Sequence, residues 1–159
     1  MLEFGFGPGH LQQTFAQQYI PAFGLDESWQ MATRAARRGS RGRLVRARAQ
    51  DAPFPSQSFQ AILAIFPSPY IFDPQTAAQI ARLLTPGGKM VILLAAQPNG
   101  PALTDQLVRL IFRLSAESPQ PSTDFSPVLA LYQHENIAAE IQWLESGPTS
   151  LLLLSGVKL

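Results

Sequence analysis

The sequence predicts an α/β fold, a mostly parallel sheet with helices on both faces, and three observations carry that prediction. The chain opens on a short apolar run, Leu2-Glu3-Phe4, broken by the alternating glycines Gly5, Gly7 and Gly9 and followed by amphipathic sequence. From there onward short apolar runs alternate with amphipathic stretches, the pattern of strand–helix units that lay parallel strands in one sheet. A chain of 159 residues with 46% hydrophobic content builds a single domain with its own core, taken here as residues 1–159.

Each element follows from local signals. Leu2–Phe4 is the first strand. His10–Tyr19 carries Leu11, Phe15 and Tyr19 four residues apart, an apolar helical face that Pro21 ends. Ala22–Leu25 is the next strand, and Ser28 caps a helix that runs to Gly39. Arg43–Ala47 and Phe59–Phe66 follow as strands. Asp73 caps a helix whose first turn accepts Pro74 and whose buried side is Ile80, Leu83 and Leu84, until Pro86 stops it. Met90–Ala95 is then a buried strand. Beyond Ala96, Pro98, Gly100 and Pro101 precede a helix over about 102–115 with one apolar face, and Pro119, Pro121 and Pro127 punctuate the rest. Residues from about 97 to 127 therefore read as a lid-like insertion. Ile141, Trp143 and the run Leu151–Leu154, separated by Gly147-Pro148, read as a strand pair that closes the sheet.

Composition excludes several function classes. Without cysteine there are no disulfides and no thiolate metal sites, and two histidines, His10 and His134, do not make a histidine-rich centre. Carboxylate sites for magnesium or calcium stay open, and the expectation is no metal. The absence of a bilayer-length apolar run and of a charged-then-apolar leader points to a cytoplasmic protein with no membrane partner. The net charge of +1 conceals seven arginines between Arg34 and Arg48, out of twelve basic residues. Such a stripe can bind phosphates. The third strand of this kind of sheet lies at an edge, however, where charge blocks unwanted pairing, and the helix before it needs a solvated face. Nucleic acid is the disfavoured partner on this reading.

The glycine turn is the first candidate site. Glycine turns the backbone sharply and leaves no Cβ, so a ligand can lie against the main chain where the next helix presents free N–H groups. A dinucleotide fingerprint requires a third small residue three positions after the second glycine; His10 stands there, which disfavours NAD. Taken alone the turn is a weak signal, because similar turns close ordinary strand–helix junctions.

Three further segments fall in order after it: Phe23-Gly24-Leu25-Asp26-Glu27-Ser28-Trp29-Gln30-Met31, then Pro53-Phe54-Pro55 with Ser58-Phe59, then Leu83-Leu84-Thr85-Pro86-Gly87-Gly88-Lys89 leading into a strand. With the opening turn, this chain resembles the class I S-adenosylmethionine-dependent methyltransferases, especially the broad group acting on small molecules, over nearly its whole length. Two positions depart from the family pattern, Arg48 where an acid often stands near the adenine and Gln60 where aspartate usually follows the phenylalanine. The resemblance implies a Rossmann-like fold with a mostly parallel seven-stranded sheet and a C-terminal antiparallel strand. It implies S-adenosyl-L-methionine as cofactor and a small-molecule acceptor.

It also implies roles. Glu3 faces the amino group of the cofactor's methionine part, with Gly5, Phe6 and Gly7 in backbone contact. Asp26 holds the ribose, as a carboxylate at a strand's C-terminal edge can accept hydrogen bonds from two vicinal hydroxyls. Glu27 and Met31 border the adenine, Arg48 and the Ala49 backbone lie at its edge, and Phe66 sits near the sulfonium. For Phe6, Met31 and Phe66 ordinary core packing is the competing explanation. Methyl transfer is an in-line displacement that positioning alone can accelerate, so no catalytic residue is demanded. Tyr70 follows the fourth strand, where acceptors sit in the family, and is the candidate to orient or deprotonate one. Pro67-Ser68-Pro69-Tyr70 scrambles the Pro-Pro-Tyr signature of enzymes that methylate adenine or glutamine amino groups. His134 is either a base or a solvated surface histidine.

The chain begins inside the first motif, so the resemblance also implies that the helices preceding the first strand are missing. Surfaces exposed in that way favour self-association. The alternative reading is a truncated or degenerate, non-catalytic methyltransferase-fold protein or accessory subunit.

Overall fold

The computed structural model describes residues 1–39, 43–98 and 124–159. Seven strands form one sheet: β1 (Leu2–Phe4), β2 (Phe23–Asp26), β3 (Leu44–Arg46), β4 (Phe59–Ile65), β5 (Leu84–Pro98), β6 (Ile137–Ser146) and β7 (Thr149–Lys158). Their spatial order is β3-β2-β1-β4-β5-β7-β6. The first five strands pair in parallel, and β7 runs antiparallel between β5 and β6. The expected sheet is therefore present, with the third strand at its edge. Strand order reverses between β1 and β4, where open α/β sheets place their ligand crevice.

Alternation along the strands sets the layers. Leu2, Phe4, Ile62, Ala64, Met90, Ile92 and Leu154 are all buried on one face. They share a core with Ala77 and Ile80 of α3 (Pro74–Leu83) and Tyr132 of α4 (Ser126–His134). Glu3 projects from the opposite face of β1 and meets Gln12 of α1 (His10–Gln17), which with α2 (Trp29–Arg37) covers that side of β1 to β3. Both predicted caps form. Ser28 Oγ accepts from Met31 N at 3.3 Å, and Asp73 Oδ1 accepts from Gln75 N at 2.8 Å with Pro74 at the first helical position.

Four expectations need correction. Helix α1 stops at Gln17; Tyr19 lies beyond it at φ 58° and is 94% exposed, so it does not continue the apolar stripe of Leu11 and Phe15. The buried residue of α1 is Gln12, whose amide bonds Glu3 and Phe23 O. Strand β5 begins at Leu84 instead of Met90: Leu84 pairs with Phe59 and the ladder resumes at Lys89, with the intervening turn through Gly87 (φ 72°) displaced from the register. Pro127 does not punctuate a loop but occupies the first turn of helix α4, as Pro74 does in α3. Of the expected insertion, Gln97 and Pro98 lie in β5 and Ser126 and Pro127 in α4, while residues 99–123, with the helix over 102–115, lie outside the described residues.

Arg82 of α3 ties the Pro53–Pro55 segment to the domain. Its guanidinium donates to Phe54 O at 2.7 Å and Ala52 O at 2.8 Å, and Gln79 holds it in place. Phe23, Phe54 and Phe59 pack edge to face beside it, with ring centroids 5.2–6.0 Å apart. No helix of the described residues is long and apolar enough to cross a membrane.

Candidate functional site

A cleft of about 380 Å³ lies at the carboxyl ends of β1, β2 and β4, within the size range of small-molecule sites. Seven of the residues singled out from sequence line it: Gly5, Asp26, Glu27, Arg48, Ala49, Phe66 and Tyr70. They arrive from four separate places in the chain because each follows a strand, or a turn joining a strand to the next element. Leu25, Ser28, Ala47, Gln50, Ile65, Pro67 and Ser68 complete the wall.

Asp26 organises the floor. Its Oδ2 accepts from Gly7 N at 2.9 Å and its Oδ1 from Ser28 N at 2.8 Å. One carboxylate thus ties the glycine turn to the start of α2. Each oxygen retains acceptor capacity after a single bond, so two further donors from the cleft side can be satisfied. Gly5 adopts φ 70° and donates its N–H to Leu25 O at 2.7 Å, which bends the turn back over β2.

Tyr70 reaches the same turn from the short helical segment Pro69–Phe72. Its hydroxyl lies over Gly5, where a Cβ would stand 2.8 Å from it, and it is buried without a hydrogen-bond partner. Burial, reinforced by the negative charges of Asp26, Glu3 and Glu27, pushes the phenol well above its ordinary value. Tyr70 is a neutral donor at physiological pH, which fits orientation of a ligand and not proton removal. Phe66 stands at the mouth, 56% exposed at φ 47°. Such backbone is strained for a bulky residue, and strain of this kind concentrates at ligand sites.

Four sequence candidates do not line the cleft. The Phe6 side chain is buried against Gly24, where a Cβ would sit 2.7 Å from its ring. The Gly7 N–H is held by Asp26, and Met31 is a half-buried residue of α2 whose N–H is taken by the Ser28 cap. Glu3 is 3% exposed below the turn, and its Oε2 accepts from Gln12 Nε2 at 2.8 Å. His134 is a surface residue beside Glu135 and is not among the residues that line the cleft. Gln50 went unread; it follows Arg48 in the same loop and donates to Asp73 at 2.9 Å, joining the cleft wall to the cap of α3.

The Glu3 carboxyl is raised to about 7, chiefly by burial, against the pull of the Gln12 hydrogen bond. A proton held more tightly in the folded than in the unfolded chain stabilises the fold at acid pH, so this contribution is complete below about 4.5 and is lost as pH rises through about 7. The loss is on the order of 3 kcal/mol. Urea unfolding of the wild type between pH 5 and 8 is expected to show that decline. Glu3→Gln, which keeps an acceptor for Gln12, is expected to flatten it.

The residues present fit S-adenosylmethionine: a ribose-competent carboxylate, an open backbone turn and an unpartnered hydroxyl converge on one cleft. Comparison with known proteins agrees. The family pattern described as a methyltransferase domain matches residues 2–92. A S-adenosylmethionine-dependent methyltransferase from Methanosarcina mazei superposes with a TM-score of 0.67 at 15% identity, covering 99% of this chain and 91% of that one. The phosphoethanolamine N-methyltransferase 2 of Haemonchus contortus gives 0.68 at 15% identity, over 99% and 48%. Geranyl diphosphate C-methyltransferase of Streptomyces coelicolor gives 0.68 at 14% identity, over 99% and 73%. At such identities these likenesses show the shared fold. No curated protein matches in sequence. The ordered motifs, the sheet topology, the cleft at its switch point and the match over more than half the chain lead to one conclusion: this chain belongs to the methyltransferase domain family, with the Rossmann-like fold of the S-adenosylmethionine-dependent class I enzymes.

Proposed function

We propose that the protein transfers a methyl group from S-adenosylmethionine to a small molecule in the cytoplasm. The observation that carries this reading is the Asp26 carboxylate, fixed by two backbone amides at the floor of the cleft with acceptor capacity to spare. When bound, the cofactor supplies an electrophilic methyl group on a sulfonium. Asp26 holds its ribose, Glu27, Arg48 and the Ala49 backbone border the adenine, and Gly5 allows close approach of the main chain. Ile65, Phe66 and Pro67 line the mouth with apolar surface and limit water at the reacting centre. Tyr70 donates its hydroxyl proton as a hydrogen bond and positions the ligand, which suffices for an in-line displacement.

Incubation with methyl-labelled cofactor and a panel of small acceptors tests the proposal. The panel should include phosphorylated amino alcohols and isoprenoid diphosphates, as the solved relatives carry substrates of those kinds. Label in a product that depends on the acceptor supports it, and cofactor binding without transfer to any of them favours the second reading below. Tyr70→Phe is expected to leave thermal stability unchanged or slightly raised, because the hydroxyl it removes is buried and unpartnered. The same variant should weaken binding of S-adenosylhomocysteine or acceptor about tenfold, since the bond it deletes forms only with ligand.

A second reading, a non-catalytic subunit that associates with a copy of itself or with a partner, has one observation in its favour. On the sheet face opposite α3 and α4, Ile65, Val91, Val157 and Leu144 are 38–48% exposed on four neighbouring strands. Light scattering that gives a dimer mass at micromolar concentration would support it.

A further inference from the structure

From the outer edge of the sheet we infer a binding surface for single-stranded nucleic acid, separate from the cofactor cleft and independent of the methyltransferase reading. Five arginines, Arg34, Arg37, Arg38, Arg43 and Arg46, are exposed on α2, β3 and their flanks. No acidic residue lies between Ser28 and Gln50 in the sequence. Among the described residues none of these five guanidiniums forms an ion pair with a carboxylate, so their charge stands uncompensated. Uncompensated positive charge along one edge is the electrostatic footprint of a polyphosphate partner.

Charge alone has another explanation, protection of the edge strand β3 from pairing, and lysine serves that purpose at least as well as arginine. The segment contains seven arginines and no lysine. Arginine's planar fork matches a phosphate in two parallel bonds, which a point charge does not.

The structure adds an aromatic platform that charge protection does not need. Trp29 opens α2 and is 68% exposed. The Arg46 guanidinium lies 5.9 Å from its ring centroid and is held there by a bond from Nε to Glu27 O at 3.1 Å. Between α2 and β3 runs a groove of about 540 Å³ floored by Ala32, Ala36 and Leu44, with Trp29, Arg37 and Arg46 as its walls. An exposed indole beside an ordered guanidinium in a basic groove is a stacking site for an unpaired base, with phosphates tracking the arginines. Unpaired bases are available in single strands, not in duplexes. An anionic bilayer also attracts arginine, but interfacial anchoring relies on an apolar face that buries itself in the lipid. Trp29 is the one large apolar side chain in the groove wall, too little for such a face.

Fluorescence anisotropy of the full chain with labelled oligouridylate tests the surface, with vesicles of phosphatidylserine and phosphatidylcholine in a parallel arm. The expected result is micromolar binding at low salt that weakens linearly on a log–log salt plot. Trp29→Ala should weaken it about tenfold. Arg34→Gln combined with Arg37→Gln should lower the salt slope by about 1.4. Because all three side chains are exposed, melting temperature and S-adenosylhomocysteine affinity should stay at wild-type values, which separates failure of this surface from failure of the cofactor site. The inference is overturned if oligouridylate does not bind, if Trp29→Ala binds as the wild type does, or if vesicles bind and the oligonucleotide does not.

Discussion

Replacing Asp26 with alanine is expected to weaken S-adenosylhomocysteine binding by at least about 100-fold while the chain stays folded. The carboxylate accepts the N–H of Gly7 and of Ser28, so its loss frees the glycine turn from α2 and removes the anchor for the ribose in one step. Hydrogen bonds to a charged group contribute about 1.5–3 kcal/mol each, and 100-fold in affinity corresponds to about 2.7 kcal/mol. Asp26→Asn keeps one acceptor oxygen and should fall between the two. Calorimetry reads the affinity, and circular dichroism melting shows whether the variant is folded.

Gly9→Ala is expected to be the most damaging single-methyl change, costing about 2–5 kcal/mol of stability. Gly9 caps α1 at φ 81°, where an L side chain is strained. A Cβ there would stand 2.7 Å from Ala35 Cβ and 2.9 Å from Ala35 Cα. Ala35 is fully buried on α2, so the atom in the way is partly backbone and relief requires the two helices to part. Gly7→Ala is the control: φ is 52° but nothing lies within 4 Å of its Cβ, so only backbone strain of about 1 kcal/mol remains. In urea the midpoint of Gly9→Ala should fall far below that of Gly7→Ala at similar slope. That ordering would locate the third glycine's importance in helix packing and not in ligand contact.

The order of strands and the floor of the cleft were legible because they depend on local signals. Alternating apolar and amphipathic runs, two caps with correct residue types and an acid at the end of β2 are all written within a few positions of where they act. Side-chain direction was less legible. The Phe6 side chain packs against Gly24 outside the cleft lining, and Met31 is half-buried on α2, since apolar residues near a site are drawn to the core as readily as to a ligand. Gln12 carries no local signal of burial, because its burial depends on Glu3, nine positions away and on another element. Helix α4 hid behind the ambiguity of proline, which ends helices and also begins them. Gln50 became a wall of the cleft through its bond to Asp73, a contact 23 residues apart that no local pattern announces.

Titrating the folded wild-type chain with S-adenosylhomocysteine in a calorimeter is the most direct test of the cofactor assignment. One site of micromolar affinity is the expected result, arising from the cleft that Asp26, Gly5 and Tyr70 build. Absence of binding heat at several temperatures, from protein whose circular dichroism spectrum and cooperative melt show it to be folded, would contradict it.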